Sequence, residues 1–156
     1  MARHLRHLPR LDQVHTQSPI FFITTCTAQR QPILANDQLH GICREVWENV
    51  ERYGWRVGKY LLMPDHVHFF CTPGTAVARL DRFVGKWKEW TSKYWRRQTG
   101  LGPGLWETEF FDHLLRSLES YEQKCEYVAN NPVRAGLVAS SDAWPYQGEM
   151  HRLRFD

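Results

Sequence analysis

Two strand-length runs, roughly Arg56 to Met63 and His66 to Cys71, are separated only by Pro64 and Asp65. A proline–aspartate pair sets a tight turn, so the runs fold back on each other as an antiparallel hairpin. Side chains alternate across a strand. His66, His68 and Phe70 therefore share one face, and Val67, Phe69 and Cys71 share the other. The second set packs on helices. The first leaves two imidazoles side by side on an open face.

The rest of the chain supplies the elements around that hairpin. Ile20 to Thr25 is β-branched and aromatic and reads as a strand, followed by a polar turn from Gln29 to Pro32. Asn36 caps a helix to about Arg52, with Leu39, Ile42, Cys43, Val46 and Val50 as its buried stripe. Gly54 ends it. A longer helix runs from about Val77 to Gln98, with Leu80, Val84, Trp87 and Tyr94 at helical spacing. The segment from Gly100 to Gly104 is a linker or turn, and Trp106 to Leu115 holds a fourth strand. Ser117 caps a last helix ending near Asn131, closed by Pro132 and Gly136.

The order β-α-β-β-α-β-α predicts an α+β fold. The expected form is a ferredoxin-like sandwich, a four-stranded antiparallel sheet with helices on one face. Residues 1–18 read as a basic arm, 19–138 as the catalytic domain and 139–156 as an irregular tail.

Charge and cysteine usage narrow the partners. The formal net charge is only +3, but the positive residues cluster. Arg3, Arg6 and Arg10 lie in the arm, and Lys86, Lys88, Lys93, Arg96 and Arg97 lie on the second helix. Clustered cations suit a polyanion, and a solvated helix face accounts for the same pattern. Seven tryptophans can fill a small core or stack on unpaired bases. Cys26, Cys43, Cys71 and Cys125 are too far apart for a zinc knuckle or a thioredoxin-like pair, and Cys71 and Cys125 read as buried thiols. No apolar run approaches membrane length, so a reducing cytoplasm and no membrane partner are expected.

Eight histidines make one His-x-His pair an ordinary coincidence, so its placement matters more than its presence. On the last helix, Leu118, Tyr121, Cys125 and Val128 form the apolar stripe. At about 100° per residue, Tyr127 falls opposite that stripe, with Asn131 one turn further on. Read singly, the histidines fit surface sites and Asn131 fits a helix cap. Read together, they suit one chemistry. A phenol with a pKa of about 10 needs help to attack phosphorus near neutrality. A divalent cation held by two imidazoles and an amide oxygen stabilises the departing 3′ oxygen. Mg²⁺ or Mn²⁺ is expected, though imidazoles also accept Zn²⁺. The product is a 5′-phosphotyrosine and a free 3′-hydroxyl, formed without ATP.

Three segments carry a family resemblance: Met63 to His68, Phe110 to Arg116, and Tyr127 to Gly136. In this order the chain resembles the single-tyrosine HUH transposases, and among them the REP-associated tyrosine transposases, over about Ile20 to Tyr146. The resemblance implies a ferredoxin-like fold and sequence-specific, metal-dependent cleavage and rejoining of single-stranded DNA, with hairpins as substrates. It implies that His66 and His68 are metal ligands, Tyr127 the nucleophile and Asn131 the third ligand, with Asn130 off that face. Asp112 and His113 match a family pair with no role derivable from the residues. Insertion-sequence members swap tyrosine helices within a dimer, so monomer and homodimer both stand. Two other classes compete: a hairpin-DNA-binding protein that does not cut, and a metal-dependent phosphoesterase that uses water.

Overall fold

The computed structural model describes residues 19–74, 79–102 and 104–155. Its strands are β1 (Ile20–Cys26), β2 (Trp55–Leu62), β3 (His66–Pro73), β4 (Phe111–Leu115) and β5 (Gln147–Glu149). All pair antiparallel, in the order β4-β1-β3-β2-β5. The helices are α1 (Asp37–Val50), α2 (Leu80–Thr99), α3 (Leu118–Ala129) and the short α4 (Asn131–Arg134). Among the described residues, no helix is long and apolar enough to cross a membrane.

Among the described residues the sheet has five strands, not the expected four. The fifth comes from the segment expected to be irregular. Gln147 pairs with Leu61 and Glu149 with Lys59. A Cβ on Gly148 would lie 2.6 Å from the Tyr60 hydroxyl, so glycine lets β5 cross that ring. The segment before it is pinned too: Trp144 Nε1 donates to the Leu62 carbonyl at 2.9 Å.

Helices cover both faces, which corrects the expectation of one. On the first face, α1 and α2 pack on Phe21, Ile23, Val67, Phe69 and Cys71. Asn36 starts α1 by accepting a hydrogen bond from the Leu39 amide at 2.8 Å. Trp47 and Trp87 stack there with centroids 5.1 Å apart. Each buried aromatic of this kind contributes on the order of 2–3 kcal/mol through apolar burial.

On the second face, Ile20, Leu61, Phe70 and Leu115 are buried with Tyr121 and Val128 of α3. The face carrying the imidazoles is therefore not open along its length. Four large apolar side chains on one side of the strands would cost too much in water, and α3 covers them. A capping box between Ser117 and Ser120 fixes where α3 begins. Tyr121 meets Phe70 edge-on at 5.3 Å. Leu118, expected in the buried stripe, is instead exposed. Cys125 is only half-buried.

Candidate active site

Beyond Phe70, towards the Pro64–Asp65 turn, the covered face of β3 gives way to His68 and His66. Their rings meet edge to face with centroids 4.7 Å apart. Strand pairing sets Thr24 opposite His68 and Cys26 opposite His66. Phe22 stacks on His68 at 5.1 Å.

Hydrogen bonds hold both rings, and with the Asn131 amide oriented as it stands they give each a tautomer. The Asp65 carboxylate can only accept, so His66 Nδ1 donates to it, at 2.8 Å. Partial burial pushes the Asp65 carboxyl up, but hydrogen bonds from His66 and Arg30 outweigh it and hold it below the usual range. Asn131 Nδ2 can only donate, and it lies 3.0 Å from His68 Nε2. That nitrogen accepts, so Nδ1 carries the proton and donates to Thr24 Oγ1 at 2.9 Å. Burial first, then the charges of His66, Lys124 and Arg134, push the His68 pKa down to about 3. His68 is thus neutral near pH 7. Both imidazoles have Nδ1 committed to a neighbour, and the Nε2 lone pair of His68 meets the Asn131 amide.

The break between α3 and α4 delivers Asn131. Asn130 caps α3, and its amide turns back to the Glu126 carbonyl at 3.1 Å. Asn131 opens α4, with Pro132 at an early helical position where its missing N–H costs nothing.

Tyr127, on the other side of α3 from Tyr121, is 58% exposed. The Arg134 guanidinium carbon lies 3.7 Å from its ring centroid, and Lys124 Nζ lies 5.6 Å away. The same Lys124 nitrogen is 5.1 Å from the Phe22 ring, which stacks on His68. Two cations thus lie against the Tyr127 ring, and one of them, Lys124, also reaches the ring that stacks on His68. Sequence reasoning missed both, and missed Thr24. Lys124 had a signal: it precedes Tyr127 by one helical turn and so shares its face. Arg134 and Thr24 had none, because their positions depend on the α3–α4 break and on strand pairing.

Other expected site residues are not brought together. Asp112 pairs with Ile23 and His113 with Phe22, so they point to opposite faces of the sheet. His113 lies on the face of His68; Asp112 lies on the α1–α2 side, near enough to Cys71 to raise that thiol's pKa after burial. Lys86, Lys88, Lys93, Arg96 and Arg97 lie on α2, across the sheet from Tyr127. Lys86 and Lys93 pair with Glu89 at 3.5 and 3.2 Å. Lys88 Nζ donates to the carbonyls of Glu107, Thr108 and Glu109 at 2.5, 3.2 and 3.2 Å. Burial pushes its pKa down to about 8. Arg3, Arg6 and Arg10 lie outside the described residues.

The family model described as "Transposase IS200 like" matches residues 17–131, which include both histidines, Tyr127 and Asn131. The chain belongs to this family of IS200-like transposases. Among its transposase relatives is the REP-associated tyrosine transposase of Escherichia coli (strain K12), 26% identical over 92 residues. That match covers 59% of this chain and 53% of the relative, so the chain spans about half the relative's length. A Haemophilus influenzae relative, provisionally named as the same kind of transposase, is 23% identical over 146 residues. It covers 88% of this chain and 82% of the relative. The structure of a REP-associated tyrosine transposase bound to a REP hairpin superposes with a TM-score of 0.69 at 21% identity. It covers 83% of this chain and 75% of that one, a likeness of transposase fold.

Proposed function

We propose that this chain cleaves and rejoins single-stranded DNA, in or beside hairpins, through a metal-dependent reaction with a covalent 5′-phosphotyrosine intermediate. The observation that carries the reading is the convergence of His66, His68 and Asn131, with an exposed tyrosine on the helix that leads into Asn131. Family membership and the relatives' names support the class of substrate. The β-α-β-β-α-β core is read as ferredoxin-like.

The donor set fits a divalent cation. Among the described residues, no trio of His, Cys, Asp and Glu side chains could hold a metal ion, and the Asn131 amide is the further side chain that meets the histidine pair. Turning the Asn131 amide would bring Oδ1 towards the point where Nδ2 now meets His68. His66 Nε2, His68 Nε2 and Asn131 Oδ1 would then hold Mg²⁺ or Mn²⁺. Bound there, the cation would draw charge from the scissile phosphate and stabilise the departing oxygen.

The protein's own groups do the rest. Tyr127 Oη attacks phosphorus and loses its proton to solvent. The bond from phosphorus to the 3′ oxygen breaks, and that oxygen takes a proton to become a hydroxyl. Attack by a 3′-hydroxyl on the phosphotyrosine reverses the sequence and rejoins the strand. Arg134 is suited to pair with phosphate oxygens through its planar fork, and Lys124 adds a second positive charge. The arm residues Arg3, Arg6 and Arg10, and Lys86, Lys93, Arg96 and Arg97 of α2, would hold phosphates away from the scissile bond. His113 would face the strand, and Asp112 would not.

The test is a labelled hairpin oligonucleotide with single-stranded flanks, incubated with the protein and Mn²⁺ or Mg²⁺. A protein–DNA adduct that survives denaturation, and that EDTA prevents, is expected. Cleavage without any adduct would favour a water nucleophile, and binding without cleavage would favour a DNA-binding protein.

A further inference from the structure

Phe111, Thr24 and His68 form one cross-strand row. Thr24 pairs with Phe111 on one side and with His68 on the other. Paired residues of antiparallel strands point to the same face, so Phe111 lies on the face of the two histidines. Two strand spacings, roughly 9–10 Å, separate it from His68. It is 61% exposed, on an edge strand. A large apolar ring in water beside the reaction centre is neither core nor needed for the sheet.

A cleft of about 590 Å³ opens beside this ring, lined by Thr24, Cys26, Gln29, Glu107, Glu109 and Phe111 among others. Its wall is built in advance. Lys88 ties down three successive carbonyls of residues 107–109. The Ala28 amide donates to the Leu105 carbonyl at 3.0 Å and the Glu107 amide to the Cys26 carbonyl at 2.9 Å. Trp106 Nε1 donates to Thr91 Oγ1 at 2.7 Å. On the other side, Gln29 and Arg30 hold φ of 57° and 54°, left-handed values that non-glycine residues adopt at a cost. Arg30 is fixed by Asp65, the partner of His66. The strained turn therefore fixes both a wall of the cleft and the orientation of a histidine.

The lining says what fits. Glu107 and Glu109 are among the lining residues, and the Glu107 charge acts on Cys26 of the same cleft; negative charge there repels a phosphate. The ring of Phe111 offers a stacking platform, which suits a base. Carboxylates accept hydrogen bonds, which suits a base with an exocyclic amino group over thymine. We propose that this cleft takes a single unpaired nucleobase next to the scissile phosphate, stacked on Phe111 and presenting amino hydrogens to the acidic wall. The proposal rests on the single-stranded DNA reading above and adds a residue that positions the strand and discriminates between bases.

The experiment uses the full chain and a hairpin oligonucleotide in which 2-aminopurine is moved one position at a time through the single-stranded flank. Emission should be quenched on binding at one position. Phe111→Ala should restore emission there, and Phe111→Trp should keep it quenched. An abasic site at that position should weaken wild-type binding about tenfold and leave Phe111→Ala binding unchanged. Thymine there should bind more weakly than adenine or cytosine. Equal behaviour of Phe111→Ala and wild type at every position would overturn the proposal. So would a change in self-association on Phe111→Ala, measured by sedimentation, without a change in base dependence; a second copy would then be the occupant. Binding and adduct formation with no position-specific loss would overturn this inference alone, whereas failure to bind single-stranded flanks at all would overturn the DNA reading as well.

Discussion

Asn131 Nδ2 lies 3.0 Å from His68 Nε2 although the two residues are 63 positions apart. The contact depends on the short break between α3 and α4. A continuous helix through residue 131 would have to accommodate Pro132 in its interior, without an N–H to donate and against the preceding turn. Proline at the start of a new helix avoids that cost and turns the amide onto the histidine.

The metal reading predicts an order of effects. His66→Ala or His68→Ala should abolish Mn²⁺ binding measured by calorimetry, and cleavage with it. Asn131→Ala should be milder, because water can fill an octahedral position. Asp65→Asn, which removes the charge facing His66 Nδ1 and Arg30, should weaken binding by about 10- to 100-fold. Undiminished Mn²⁺ binding by His68→Ala would contradict the site.

The buried histidine gives a pH dependence with a definite sign. In an unfolded chain histidine titrates near 6.5, and in the folded protein burial and nearby charge hold His68 to about 3. The unfolded state therefore takes up the proton first. The contribution of His68 to stability is complete above about pH 6.5 and is lost as pH falls towards 3, by up to about 1.4 kcal/mol per unit. Urea unfolding in EDTA at pH 7 and pH 5 measures it. His68→Gln should lose about 2 kcal/mol less than wild type over that interval. Identical pH slopes would show that His68 is not held neutral.

Sequence periodicity reached the imidazole pair and the two sides of α3, because both follow from local geometry. Alternation set His66 and His68 on one face, and helical spacing separated Tyr127 from Tyr121. What lay across the sheet was less accessible. Ile20, Phe70 and Leu115 did signal a second apolar face, but recognising it needed the pairing of three strands. β5 carries Gln147, Gly148 and Glu149, with no apolar alternation at all. The α2 cations formed a clear cluster in sequence, yet nothing local says which sheet face their helix covers. Nor does anything local show that Lys88 ends among backbone carbonyls.

That burial of Lys88 has its own consequence. Lys88→Met should lower stability by about 1–3 kcal/mol, since three carbonyls lose a donor. The salt dependence of DNA binding should stay the same. A flattened salt slope with unchanged stability would mean instead that Lys88 neutralises a phosphate.

Arg134 and Lys124 should act on the strand rather than on the fold. Arg134→Ala or Lys124→Ala should reduce cleavage by about tenfold or more, the scale of a lost charged hydrogen bond. Arg134→Lys should restore only part, because an ammonium lacks the guanidinium fork. Circular dichroism and melting temperature should be unchanged. Full cleavage by Arg134→Ala would remove it from the site.

The denaturation-resistant adduct reports directly on Tyr127 as the nucleophile. Tyr127 is exposed, so Tyr127→Phe should fold like wild type and still bind hairpin DNA, yet form no denaturation-resistant adduct with Mn²⁺ present. Tyr121→Phe, altered in the buried layer beneath α3, should still form the adduct. An adduct of wild-type yield from Tyr127→Phe would show that another group is the nucleophile.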